Sequence, residues 1–144
     1  MNTEPAEEVQ THSAQSDTSV STARTLLFLQ FYLIAGVGVL HIVGSAFYLY
    51  WLFWWYDVVV HALGSMWAAL AVNWVYALFG KTPRWAHVLF VVILIGAAWE
   101  VFEYVVGISR RPDFAYDTST DLLVDVLGAL AGFFIARRVG NSLT

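Results

Sequence analysis

Carboxylates and imidazoles recur at helical spacing within an otherwise apolar sequence. Asp57 and His61 are four residues apart, Glu100 and Glu103 three, and Asp117, Asp121 and Asp125 follow at intervals of four. Residues three or four apart share one face of a helix. Each pair or triplet therefore presents its polar groups in one direction. Carboxylate oxygens joined by one or two imidazoles suit Mg²⁺, Mn²⁺, Ca²⁺ or Zn²⁺, and an imidazole also serves as a general base. Asp57, His61, Glu100, Glu103, Asp117, Asp121 and Asp125 are accordingly the candidate ligands of a divalent metal ion. His61 and Glu103 are the candidate catalytic residues. Arg110 and Arg111, in the segment between the second and third groups, are placed to hold a substrate phosphate.

The elements that must position these residues are membrane helices. The chain has 144 residues, of which 59% are hydrophobic and only 12% charged, with a mean hydropathy of +0.65. Average soluble domains carry about 25% charged residues, so this chain cannot cover a water-facing surface. Between Thr25 and Gly80 the one formally charged side chain is Asp57. That run exceeds the roughly 20 residues needed to cross a bilayer once, so it must fold back on itself. The sequence predicts an all-α membrane protein, a four-transmembrane-helix bundle with helices at about 25–48, 58–79, 83–106 and 118–136. Tyr50, Trp51, Phe53, Trp54, Trp55 and Tyr56 form an aromatic belt at the first return. Pro83 suits the first turn of the third helix and Asp117 the N-cap of the fourth.

Residues 1–23 hold Glu4, Glu7, Glu8 and Asp17 without a Lys or Arg, which accounts for the whole net charge of −4. Rich in Ser, Thr and Gln and lacking apolar periodicity, this tail is expected to be disordered, with residues 24–144 forming the bundle. It resembles neither a signal peptide nor a transit peptide. The absence of cysteine excludes disulfides and thiolate ligands, and no basic patch supports nucleic-acid binding. Arg24, Lys81, Arg84, Arg137 and Arg138 fall on one side of a four-span bundle, and Arg110 and Arg111 on the other. The positive-inside rule then puts both termini in the cytoplasm of a multi-pass cell-membrane protein.

With that topology the acids and His41 share the outer half of the bundle. A charged Asp near the centre of a membrane helix costs about 2.5–3.5 kcal/mol on insertion scales. Acids gathered there must share protons, meet a cation or open onto water. Plainer roles exist for some of them. Asp57 and Asp117 sit where N-caps belong, His41 suits a bond between helices, His87 the interface, Asp113 a solvated loop, and Arg110 and Arg111 headgroup anchoring. Asn73 and Ser65 suit interhelical hydrogen bonding. Gly128 and Gly132 make a small-xxx-small pair, usable for close packing within the fold or for a homo-oligomer or larger membrane complex.

The same residues carry a family likeness. Trp55-Tyr56-Asp57 through His61, Trp99-Glu100 through Glu103-Tyr104, and Tyr116-Asp117-Thr118 through Asp121 resemble the YjdF-like family of prokaryotic membrane proteins over about residues 55–132. More remotely the chain is similar to VanZ-like proteins, with Asp57, His61, Glu100, Arg110 and Asp121 at matching positions. Glu103 stands where that pattern has Gln, Asp125 where it has Asn, and Val58 where a Lys follows the first Asp. These departures add acid and remove base, which favours a cation. The resemblance implies a small multi-helix membrane protein and supplies no reaction. The residues themselves point first to a metal-dependent enzyme acting on a membrane lipid or lipid-linked substrate. A cation or proton pathway and a non-catalytic helper subunit of a larger complex are the alternatives.

Overall fold

Among the described residues every regular element of the computed structural model is a helix. It describes the backbone of residues 4–107 and 114–142, and the side chains of 17–107 and 115–142. The elements are α1 (Glu4–Ala46), a single-turn α2 (Leu49–Leu52), α3 (Trp54–Leu78), α4 (Trp85–Val106) and α5 (Phe114–Ser142). Among the described residues three stretches are long and apolar enough to cross a membrane: Asp17–Ala46, Trp54–Leu78 and Trp85–Val106.

α1 begins at Glu4 and runs through the acidic N-terminal segment. Near Ala46 the helix ends, and Tyr48 adopts the left-handed region at φ 59°. That conformation costs a non-glycine residue about 1–2 kcal/mol, and it breaks the chain between α1 and α2.

α3 and α5 both start about one turn earlier than the sequence suggests. Asp57 and Asp117 are therefore first-turn residues and not N-caps. Phe53 caps α3 without a side-chain bond. A carboxylate in the first turn still faces the positive end of the dipole, which is why the two positions look like caps in sequence. Pro83 precedes the N-cap Arg84 of α4 and lies just outside that helix.

The return between α3 and α4 is a Schellman turn. The Lys81 N–H donates to Tyr76 O at 3.0 Å and the Gly80 N–H to Ala77 O at 3.0 Å, with Gly80 at φ 63°. Gly107, at φ 78°, closes α4 by donating to Glu103 O.

α3 forms the axis of the bundle, packing most extensively on α5 and then on α1, while α4 leans on α5. Small residues make the closest of these approaches. A Cβ on Gly128 would collide with Ser65 Oγ and the Ala62 carbonyl, and one on Gly132 would lie 2.5 Å from Met66 O and 2.9 Å from Ala69 Cβ. The small-residue pair is thus used inside the chain, against α3. Around that seam Ala68, Ala69, Val88, Val92, Ala129 and Phe133 bury together. Leu26, Leu70, Ala77 and Ala136 form a second cluster where α1 crosses. The remaining apolar surface faces outward: Ile42, Phe90, Leu94, Val101 and Val105 are all exposed. Soluble monomers rarely show so extensive an apolar surface, whereas lipid requires it.

Candidate functional site

The tight α3–α5 seam brings His61 against the first turns of α5, and α4 closes the third side. Buried His61 then lies among carboxylates from three helices. Its Nε2 is 4.0 Å from Asp57 Oδ1 on α3 and 3.8 Å from Glu100 Oε1 on α4. Its Nδ1 is 3.4 Å from Asp125 Oδ1 on α5. Glu100, Asp121 and Asp125 are each no more than 5% exposed. Asp57, His61 and Asp121 each offer a ligand atom within 4.8 Å of the other two.

Glycine and hydroxyl groups shape the cluster. A Cβ on Gly96, one turn before Glu100 on α4, would overlap the Asp125 carboxylate, so only glycine lets α5 bring that acid in. Thr118 Oγ1 donates to Glu100 Oε2 at 2.7 Å. The other oxygen, Oε1, is buried without a hydrogen-bond partner. Such an atom costs about 1–3 kcal/mol, more when charged, unless a cation or water meets it. Ser65 turns inward to its own helix, donating to His61 O at 2.8 Å. These roles of Gly96 and Thr118 escape the sequence reading. The available signals are their spacings, four residues before Glu100 and three before Asp121.

Glu103 and Asp117 neighbour this centre without an ion pair to His61. Glu103 is half-buried and accepts a hydrogen bond from Trp99 Nε1 at 2.9 Å; it is absent from the contacts of His61. Asp117 sits in the first turn of α5, one turn nearer the rim than Asp121. Arg110 and Arg111 lie outside the described residues, as does Asp113. His41 is exposed on α1 and pairs with Tyr50, Nδ1 to hydroxyl 2.9 Å. Burial pushes the Tyr50 hydroxyl well above its ordinary range, with the charge of Asp57 adding to the shift, so it stays protonated. Tyr50 also packs edge-on against Tyr56, whose hydroxyl donates to Leu40 O at 2.6 Å. Gly44 makes room for both rings, since a Cβ there would lie 2.5 Å from Tyr56 Cε1. These rings pin the start of α3 to α1, one turn before His61.

A cleft of about 400 Å³ between α4 and α5 reaches the cluster, lined by Ala97, Glu100, Val101, Tyr104, Thr118 and Leu122. Its walls Val101 and Tyr104 are exposed, while Glu100 at its floor is buried.

Comparison with curated proteins and with solved structures gives no match. A family model matches residues 22–142, which takes in the apolar part of α1 and everything through α5. The chain belongs to the family described as "Predicted membrane protein (DUF2238)".

Proposed function

We propose that this protein is a membrane-embedded, metal-dependent enzyme acting on a lipid headgroup or lipid-linked substrate, with α5 as a fourth span. The carrying observation is the convergence of α3, α4 and α5 on one imidazole ringed by carboxylates, including a buried Glu100 oxygen that accepts no hydrogen bond among the described residues. One His cannot neutralise Asp57, Glu100, Asp121 and Asp125 together, and uncompensated charge in the membrane interior is expensive. A divalent cation would offset two of those negative charges.

The donor set fits such an ion. Ligand atoms around a divalent metal sit about 3–4 Å apart, given bonds near 2.0–2.6 Å. The Asp57, His61 and Asp121 atoms, mutually within 4.8 Å, need only a small inward movement. Asp125 faces Nδ1 of His61; a proton held on that nitrogen would leave Nε2, which faces Asp57 and Glu100, to bind the ion. This is the carboxylate–histidine arrangement that orients metal-binding imidazoles. Asp57, His61 and Asp121 would hold the ion with Glu100 beside it, and the ion would polarise a phosphoryl or carbonyl oxygen. Among the protein's own groups, Asp125 orients the imidazole and Thr118 fixes Glu100. The cleft, apolar apart from Glu100 and Thr118, admits a substrate carried by the bilayer. Glu103, one turn from Glu100 and bonded to Trp99, is available to move a proton at the rim.

The test is turnover in vesicles. The full chain, reconstituted into phosphatidylcholine–phosphatidylglycerol vesicles with Mg²⁺, Mn²⁺ or Zn²⁺, should change lipid phosphorus resonances. That activity should vanish with chelator and with His61→Ala, and persist in Arg138→Gln. An inert wild-type protein under every metal condition refutes the enzymatic reading.

A further inference from the structure

The opposite end of the bundle holds a second cavity, of about 450 Å³. It lies between α1, the end of α3, the α3–α4 turn and the last turns of α5. Its lining includes Thr22, Asn73, Lys81, Thr82, Arg137 and Asn141. Asn73 is twelve residues after His61 on α3, so this cavity begins about 18 Å further along the helix axis. The two sites stand toward opposite ends of α3 and share no lining residue.

Their chemistry is inverted. Lys81 and Arg137 come from segments more than fifty residues apart in sequence, yet they line one cavity, and no Asp or Glu among the described residues lines it with them. Asp17, the nearest acid in sequence to its α1 wall, is exposed and lies outside the lining. Hydroxyl and amide groups supply neutral donors between the cations. Asn73, 5% exposed, gives one amide hydrogen to Ala69 O at 2.8 Å and retains the second. Two cations with hydroxyl and amide donors make a receptor for a phosphate oxyanion. Basic pockets between membrane helices at headgroup depth bind phosphorylated lipid heads. Lys81 also follows the carbonyl end of α3, where a cation alone is favourable, so the experiment must separate a ligand site from helix-end neutralisation.

We infer that this cavity binds a phosphate group, carried either by a phospholipid head or by free phosphate, at a site independent of the acidic cluster. The probes are phosphatidic acid in phosphatidylcholine nanodiscs and, in a separate arm, inorganic phosphate. Native mass spectrometry of the full chain should find one phosphatidic acid retained per chain, with the Lys81→Gln, Arg137→Gln double variant weakened at least about tenfold. Lys81→Arg should keep binding, and Arg84→Gln and Arg138→Gln, which alter cations outside the lining, should leave it unchanged. Retention of lipid without competition by phosphate identifies a headgroup site. Binding of phosphate alone, lost in the same double variant, identifies the free anion. If neither probe binds, or if the double variant matches wild type while remaining helical and monodisperse, the two cations hold no ligand and the inference fails.

Discussion

The two ends of the bundle carry opposite charge and treat it in opposite ways. At one end Glu100, Asp121 and Asp125 are buried around His61; at the other Lys81, Arg84, Arg137 and Arg138 are exposed. Lys and Arg have long apolar stems and can extend their heads to water from a helix end. Asp and Glu stems are too short for that, so a carboxylate within a span must find its compensation where it stands. Basic residues can therefore mark topology at little cost, whereas the acids commit the fold to a site. The residue that does most to build that site is a glycine, because α5 approaches α3 and α4 only where side chains are missing.

This contrast can be broken from several directions. The strongest is Gly128→Leu, which forces a side chain into Ser65 and the Ala62 carbonyl. Backbone cannot rotate aside, so the cost exceeds the ~1–3 kcal/mol usual for overpacking. Monodisperse protein should be lost in size-exclusion chromatography, while Gly36→Leu, with open space around it, should behave as wild type. Next, Asp121→Asn removes a proposed ligand without changing volume and should weaken divalent-metal binding by about 100-fold or more in a metal titration, more than a supporting residue does. Asp125→Asn tests such a supporting role and should weaken the same binding by about 10–100-fold. Gly96→Ala, which displaces the Asp125 carboxylate, should act in the same direction. The smallest change belongs to the opposite end. Arg138→Gln, an exposed substitution far from the acids, should shift thermal stability by no more than about 0.5 kcal/mol and leave metal binding untouched.

The acid end was legible in sequence because depth in a membrane helix follows directly from counting residues. Depth and helix face group Asp57, His61, Glu100, Glu103, Asp117, Asp121 and Asp125, and of these the structure brings Asp57, Glu100, Asp121 and Asp125 around the His61 imidazole. Direction was harder to read. Glu100 and Glu103 share a broad face, but packing of α4 on α5 turns Glu100 inward and leaves Glu103 beside Trp99. Thr118 and Gly96 carry no charge, so nothing in their type announces a role until a neighbour is seen. Helix starts were displaced because first-turn acids and N-cap acids satisfy the same dipole. The turn at Tyr48 was hidden for a related reason, since a tyrosine in the left-handed region has no sequence signature. The basic cavity joins residues that are remote in the chain, and only the fold reveals that Lys81 and Arg137 share it.

The central claim is that acids from three helices and one histidine constitute a single cation site. Metal loading of the purified full chain, followed by elemental analysis and X-ray absorption, addresses it most directly. Wild-type protein should retain one divalent ion per chain with a single imidazole among oxygen ligands, and the Asp57→Asn, Asp121→Asn double variant should retain none. Wild-type protein that leaves loading without metal, or a folded double variant that keeps the ion, would contradict it.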